Sequence, residues 1–202
     1  MFDRRTFTLA ALAAPLVAAT ATHAETAALP LDDDGLHVQP WLMQTFLDMR
    51  EDLTDTAAAG KRFAVLWEQR GCPYCREMHA VNFADPEIVS YVTDKFGIVR
   101  LNLWGSRSVT DFDGEEIEER ELARKWRVNF TPTIVFLDDK LVGGKSGFDH
   151  EVARMPGYFK PFHFLSMFHY VSDKAYADTD FQRYLQARFK DLEDKGIKPK
   201  IW

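Results

Sequence analysis

Apolar residues along the chain recur at two spacings, and these predict an alternation of helices and strands. Between 40 and 59 they fall at helical spacing, on a stripe that includes Phe46, and Gly60 ends the segment. The run Phe63–Trp67 is short and unbroken, which is typical of a buried strand. Later stretches predict helices at 73–81, from Asp85 onward, at 118–126 and at 161–171, and strands at 98–103, 133–137 and 151–155.

The order of these elements predicts the fold class. Parallel strands joined by helical crossovers, followed by an antiparallel pair, give a mixed sheet covered by helices on both faces. We therefore expect an α/β, thioredoxin-like three-layer fold over residues 39–171, with a central mixed sheet flanked by helices. The stretches 105–116 and 138–150 are polar or rich in glycine and predict loops. Residues 172–202 form a C-terminal extension, where the amphipathic stretch 181–192 predicts an extra helix.

The first residues have the pattern of an export signal. Arg4 and Arg5 precede the apolar run Leu9–Ala19, which matches the hydrophobic region of a signal peptide and is shorter than the ~20 residues of a membrane span. We predict a signal peptide over residues 1–24, cleaved after Ala24. The arginine pair is typical of twin-arginine export, although Sec export stays open. Residues 25–38 show no periodicity and predict a flexible leader, and the mature protein is expected in the periplasm.

Composition and charge exclude some classes of partner. A length of 202 residues with 46% hydrophobic residues predicts one domain with extensions and a substantial core. The net charge is −6 at pH 7. A chain this acidic lacks the positive surface that DNA, RNA or an anionic lipid surface requires, so we expect no nucleic-acid partner.

The two cysteines stand together in the run Gly71-Cys72-Pro73-Tyr74-Cys75, between a predicted strand and a predicted helix. A disulfide across so short a loop constrains the unfolded chain very little, so the pair is expected to serve chemistry. A C-x-x-C motif in this context is a redox signature. We therefore predict a thiol–disulfide oxidoreductase.

The predicted roles of these residues follow from the helix start. A thiol exchanges with a disulfide as the thiolate, and the free N–H groups of a helix N-terminus favour the anion at Cys72. Pro73 suits the first helical position and Tyr74 is expected on the rim, so both are assigned to the substrate groove. Cys75, one turn on, is more buried, which makes Cys72 the nucleophile and Cys75 the resolving thiol.

Other uses of the cysteine pair are less consistent with the sequence. A structural disulfide is disfavoured by the short loop. A zinc site needs four ligands, and His79 alone lies near the two thiols. Haem attachment needs a histidine directly after Cys75, where Arg76 stands, and is excluded. We thus expect no metal and no cofactor beyond a redox-active Cys72–Cys75 disulfide.

Two further positions belong to the predicted site. Pro132 follows Thr131 just before a strand, a place that holds a cis-proline in thioredoxin-like proteins, and both residues are expected to line the groove beside Cys72. The thioredoxin aspartate six residues before the first cysteine is replaced by Leu66. Glu68 is the nearest acid and is a candidate proton acceptor, with a solvated strand end as the alternative. His79 is expected on the helix surface.

The chain resembles the SoxW-type periplasmic thioredoxins in motifs that run in order between Leu42 and Val171. These motifs are Trp67–Cys75 followed by Met78 and His79, Phe83–Pro86, Val109–Gly114, Glu121–Ala123, Thr131–Thr133 and Met155–Tyr158. The glycine-rich stretch near Gly143 departs from the shorter hairpin expected there.

The resemblance implies a periplasmic reductant or thiol-repair protein that acts on thiols and disulfides of exported proteins, sulfur-oxidation proteins among them. It also implies a membrane thiol donor of the CcdA type as the source of electrons. Three alternatives stay open from the sequence: a disulfide donor or isomerase for secreted proteins, a glutathione-dependent enzyme, and a non-catalytic thioredoxin-scaffold binding module.

Overall fold

The computed structural model describes residues 29–199, and the predicted signal peptide lies outside this range. The helices are α1 Met49–Ala58, α2 Pro73–Glu77, α3 Pro86–Lys95, α4 Glu119–Lys125, α5 Pro161–Ser172 and α6 Phe181–Asp194, with a π-helix at Met78–Asn82 and 3-10 turns at Gly147–His150 and Ala175–Ala177. The strands are β1 Arg62–Glu68, β2 Phe96–Asn102, β3 Ser108–Thr110, β4 Glu116–Glu118, β5 Thr133–Leu137 and β6 Glu151–Pro156. Within the described range, no helix has the length and apolar character needed to cross a membrane.

The central sheet has the predicted mixed topology. Its strand order is β2-β1-β5-β6, where β1 and β2 run parallel and the two other pairings are antiparallel. Helices cover both faces, and α6 adds a C-terminal helix that packs on α5. The α/β thioredoxin-like fold expected from the order of elements is therefore confirmed.

Strand β1 is buried along its whole length and separates two hydrophobic cores. Ala64 and Leu66 point into the core beneath α2, α3 and α5, whereas Val65 and Trp67 point into the core beneath α1 and α4. By the same alternation, Glu68 lies on the face that α2 covers. The Glu68 side chain at the end of β1 is therefore directed toward α2, the helix that carries the cysteines.

The first helix begins later than the periodicity predicts. Asp48 caps α1 by accepting hydrogen bonds from the backbone N–H groups of Arg50 and Glu51. Leu47 before it has a φ of 63°, which is incompatible with a continuing right-handed helix. Phe46, expected on the inward stripe, is fully exposed. Residues 40–48 therefore form an irregular approach to the helix.

The stretch 105–116, expected as a loop, contributes to a short hairpin of β3 and β4. Asp111 between these strands is buried, and its Oδ1 accepts hydrogen bonds from the N–H groups of Phe112 and Gly147 and from Trp126 Nε1. Lys125 Nζ lies 2.8 Å from the other carboxylate oxygen. This carboxylate joins the hairpin to α4 and to the loop between β5 and β6.

Residues 30–38, which we call the N-terminal strap, differ from the flexible leader expected there. Leu36 is 1% exposed, and Leu31 and His37 form an antiparallel bridge. Arg70 donates hydrogen bonds to the carbonyl oxygens of Asp33 and Asp34, at 2.9 and 3.0 Å. These contacts make the strap part of the folded domain, beside the cysteine motif.

Candidate active site

The two cysteines lie where β1 leads into α2. Gly71 has a φ of 71°, which turns the chain out of the strand, and Cys72 is the N-cap residue of the helix. Pro73 occupies the first helical turn. Cys72 and Cys75 form a disulfide with Cα atoms 5.2 Å apart. Cys72 is 4% exposed and Cys75 is fully buried, so the first cysteine is the accessible one.

Backbone groups around Cys72 favour a negative charge on its sulfur. The Cys75 N–H points at Cys72 Sγ across 3.0 Å, as a capping hydrogen bond does. A thiolate at this position would accept that bond and would also face the positive end of the helix. The arrangement is suited to stabilising the thiolate form of a reduced Cys72.

The segment before β5 lies against the same sulfur. The Thr131 carbonyl oxygen is 3.5 Å from Cys72 Sγ, and the Thr131–Pro132 peptide bond is cis. Pro132 accepts a hydrogen bond from the Gly157 N–H, which joins this segment to the end of β6. The structure therefore brings Thr131 and Pro132 to the cysteine motif, where the sequence places them.

Exposed aromatic side chains surround the motif. Tyr74 is 63% exposed, as expected for a rim residue. Phe130 and Trp104 are exposed as well, and Trp104 Nε1 donates a hydrogen bond to Gln69 Oε1. Phe130 directly precedes the Thr131–Pro132 motif, and Trp104 lies between the predicted second strand and the loop that follows it, so neither carries a sequence signal of its own for the site. Large apolar groups on a rim are suited to contact with a polypeptide.

A cavity of about 600 Å³ opens beside Cys72. One wall is supplied by α2 and the residues around it, and the strap supplies the other. The lining residues are Leu31, Gly35, His37, Gly71, Cys72, Pro73, Arg76, Glu77 and Ala80. The strap therefore narrows the approach to the sulfur and brings His37 to the cavity.

Glu68 is the centre of a buried polar cluster. His79 Nε2 lies 2.9 Å from Glu68 Oε1, and His37 Nδ1 lies 3.8 Å from the same oxygen. The two imidazole rings stack with centroids 4.7 Å apart, and Gln39 Nε2 lies 3.1 Å from His79 Nδ1. Glu68 Oε2 is buried without a hydrogen-bond partner among the described residues. Glu68 is fully buried, so the alternative of a solvated strand end is wrong.

The expected surface position of His79 is also wrong, since its exposed fraction is 1%. His79 lies in the π-helix that continues α2, and the Glu68 carboxylate supplies the polar partner that a buried imidazole needs. His37 was missed because it falls in the strap, which has no periodicity.

Burial and neighbouring charges act on His37. Its pKa is lowered from the ordinary value, first because burial disfavours the charged ring, and then because His79 and Arg100 lie nearby. Glu68 opposes this shift without overcoming it. The His37 ring is therefore neutral near pH 7 and is able to accept a proton.

The same three side chains are the candidates for a metal among the described residues. Their ligand atoms lie within 4.8 Å of one another. A tetrahedral zinc ion with bonds of ~2.0–2.1 Å would place its ligands roughly 3.3 Å apart. The 2.9 Å contact between His79 and Glu68 is shorter than this and is a hydrogen-bond distance. The cluster is thus arranged as a hydrogen-bonded network.

Three solved structures are similar to this chain, and the first of them shares its fold. A thioredoxin-fold protein from Helicobacter pylori is 23% identical with a TM-score of 0.52, and the alignment covers 66% of this chain and 85% of that one. A thioredoxin from Thermus thermophilus is 27% identical with a TM-score of 0.47, covering 61% and 83%. The oxidised C-terminal domain of DsbD from Neisseria meningitidis is 11% identical with a TM-score of 0.45, covering 63% and 97%.

A comparison with curated proteins gives no match. Residues 49–172 match the sequence model of the thioredoxin-like domain. This range runs from the start of α1 to the end of α5, so it contains the whole central sheet, both cysteines and the Thr131–Pro132 segment. By this match the chain belongs to the thioredoxin-like domain family.

Proposed function

We propose that this chain is a thiol–disulfide oxidoreductase in which Cys72 attacks and Cys75 resolves. The observation that carries the proposal is the position of Cys72 at a helix N-cap, with the Cys75 N–H 3.0 Å from its sulfur and a cavity on its open side. The difference in burial between the two residues supports the same division of roles, because Cys72 lines the cavity and Cys75 is fully buried.

The reduced protein acts in two steps. The Cys72 thiolate attacks one sulfur of a substrate disulfide and forms a mixed disulfide, and the second substrate sulfur leaves as a thiolate that takes a proton from solvent. Cys75 then loses its proton and attacks Cys72 Sγ. The Cys72–Cys75 disulfide forms, the remaining substrate thiol is released, and two electrons have passed from the protein to the substrate.

The groove residues favour a polypeptide substrate. The Thr131 backbone lies beside Cys72 Sγ and offers hydrogen-bonding groups to an extended chain, as in strand addition. Pro73 lines the cavity, and Tyr74, the next residue in the chain, supplies an exposed aromatic surface. Glu68 is the proposed acceptor of the Cys75 proton.

The proposed direction and place of the reaction rest on the resemblance and on the predicted signal peptide. The predicted signal peptide and the resemblance to SoxW-type thioredoxins support a periplasmic reductant or thiol-repair protein for exported proteins, re-reduced by a membrane thiol donor of the CcdA type. Sulfur-oxidation proteins are the partners that this resemblance favours. A reductant of this fold has a potential near ~−270 mV and a strong oxidant near ~−120 mV, so equilibration of the Cys72–Cys75 pair with glutathione separates a reductant from a disulfide donor.

Single cysteine variants test the mechanism. Cys75→Ser should form long-lived mixed disulfides with proteins that contain a disulfide, because it has no thiol to resolve them. Cys72→Ser should form none. The wild type should also accelerate insulin reduction by dithiothreitol, and a binding module would not. Normal turnover by Cys75→Ser would refute the assignment of roles.

A further inference from the structure

The polar cluster around Glu68 borders the helix that carries the two cysteines, because His79 belongs to the continuation of that helix. Cys75 and His79 are four residues apart, which places them one helical turn apart on the same side of the cysteine helix, and both are buried. Glu68 reaches this side from β1. His37 lies on the opposite edge of the cluster, where it lines the same cavity as Cys72. The cluster thus extends from beneath the resolving thiol to the solvent beside the nucleophile.

We propose that His79 and His37 complete a proton relay with Glu68, in which His79 holds the carboxylate and His37 exchanges its proton with the cavity. This inference rests on the proposed oxidoreductase function. In the relay, His79 is a positioning residue, because it acts through Glu68. The relay also gives the N-terminal strap a part in the chemistry, because His37 belongs to the strap.

The contacts on both ring nitrogens point to the role of His79. Because a carboxylate only accepts hydrogen bonds, the ring hydrogen is assigned to Nε2, and Nδ1 is then the acceptor for the Gln39 amide. His79 Nε2 then donates to Glu68 Oε1 at 2.9 Å. This bond orients the carboxylate and leaves Oε2 without a partner among the described residues. A buried carboxylate oxygen without a donor is suited to take a proton from a thiol.

The proton balance of the resolving step is closed within the relay. Cys75 gives its proton to Glu68 Oε2 as its sulfur attacks the mixed disulfide, and Glu68 becomes a neutral carboxylic acid. The Glu68 carboxyl group then turns its protonated oxygen toward His37, whose Nδ1 lies 3.8 Å from Oε1, and His37 takes this proton and becomes an imidazolium. The imidazolium returns the proton to solvent in the cavity, where the released substrate thiolate takes up one proton.

The charges around the cluster agree with this direction of transfer. Arg100 donates to the His37 carbonyl oxygen and pairs with Asp32 of the strap. Arg76 and Glu77 line the cavity from α2. The positive charges of Arg100 and Arg76 disfavour a second positive charge on His37. His37 therefore releases its proton readily once it has accepted one.

Single-turnover kinetics separate the two chemical steps. Reduced protein is mixed with one equivalent of 5,5′-dithiobis(2-nitrobenzoate), and release of the yellow thionitrobenzoate is followed in a stopped-flow instrument over a range of pH. The first equivalent reports attack by Cys72, and the second reports resolution by Cys75. The variants are Glu68→Gln, His79→Phe, His79→Gln and His37→Gln, with His163→Gln on α5 as the matched control.

The relay predicts a change in the second release alone. Glu68→Gln and His79→Phe should slow it at least ~10-fold and shift its pH profile. His79→Gln keeps an N–H donor and should retain most of the rate. In a protein that already carries Glu68→Gln, the further change His79→Phe should cause no additional slowing, because His79 acts through the Glu68 carboxylate. His37→Gln should slow the second release in dilute buffer, and added imidazole should restore it.

Three results would overturn the relay: an equal slowing of both releases by His79→Phe, an effect of His79→Phe that adds to Glu68→Gln, or a His37→Gln variant that is unaffected by buffer. If His79→Phe does not fold, the His37→Gln measurement still tests the relay. A wild type that releases a single equivalent would instead contradict the proposed function itself.

Discussion

Replacement of Asp111 by alanine removes a buried carboxylate that joins three parts of the fold. Asp111 Oδ1 accepts hydrogen bonds from the N–H groups of Phe112 and Gly147 at 2.8 and 2.9 Å, and from Trp126 Nε1 at 3.1 Å. Trp126 and Gly147 are both buried, so water cannot replace the lost acceptor without entering the core. The substitution therefore leaves three buried donors unpaired.

The expected loss follows from these three donors. An unpaired buried donor costs ~1–3 kcal/mol, so the three together predict a decrease of at least ~3 kcal/mol in the free energy of unfolding. For a chain of this size ~1 kcal/mol corresponds to ~2–4 °C, which predicts a melting temperature lower by at least ~6 °C.

Asp113→Ala is the matched control. Asp113 Oδ2 contacts the same lysine, Lys125 Nζ, at 2.6 Å, but its side chain is 25% exposed. An ion pair at the surface contributes ~0–1 kcal/mol, so this variant should stay close to the wild type. Urea denaturation of the oxidised proteins, monitored by tryptophan fluorescence, gives the free energy of unfolding of each variant. The reasoning is refuted if Asp111→Ala and Asp113→Ala differ by less than about 1 kcal/mol.

Two further substitutions test packing and burial. At Gly147 an added Cβ would lie 1.9 Å from a Trp126 ring carbon, so Gly147→Ala should destabilise the protein strongly in thermal melts, whereas Gly143→Ala, with open space around it, should not. Burial raises the pKa of Asp52 to about 6, despite a hydrogen bond from Thr45 Oγ1. Its stabilising contribution is present below pH ~4 and is lost as the pH rises through about 6. Asp52→Asn should therefore stabilise the protein at pH 7 by about 1–3 kcal/mol, and equal stability of the two proteins at pH 7 would contradict the burial argument.

The fold was predictable wherever local chemistry and tertiary packing agree. The unbroken run Phe63–Trp67 becomes the buried β1, and Asp85 followed by Pro86 begins α3. The prediction failed at α1, because periodicity alone cannot reveal that Leu47 adopts a positive φ and that Asp48 caps the helix. The β3–β4 hairpin was missed since its strands have three residues each, too few for a pattern.

The candidate site was predictable from its motif and less so from its surroundings. Cys72 and Cys75 are adjacent in sequence to the helix start that positions them, so the sequence locates them directly. Glu68 was a candidate proton acceptor from its place before the motif, and that role stays a prediction. Its partners His37 and His79 come from the strap and from the π-helix, and long-range packing alone brings them together.

The reactivity of the two thiols tests the central claim most directly. The reduced protein is treated with a limiting amount of iodoacetamide at several pH values, and each cysteine's modification is quantified by peptide mass spectrometry. We predict that Cys72 is alkylated first, with an apparent pKa below the ~8.5 of an ordinary cysteine, and that Cys75 reacts slowly. Faster alkylation of Cys75, or an ordinary pKa at Cys72, would contradict the account.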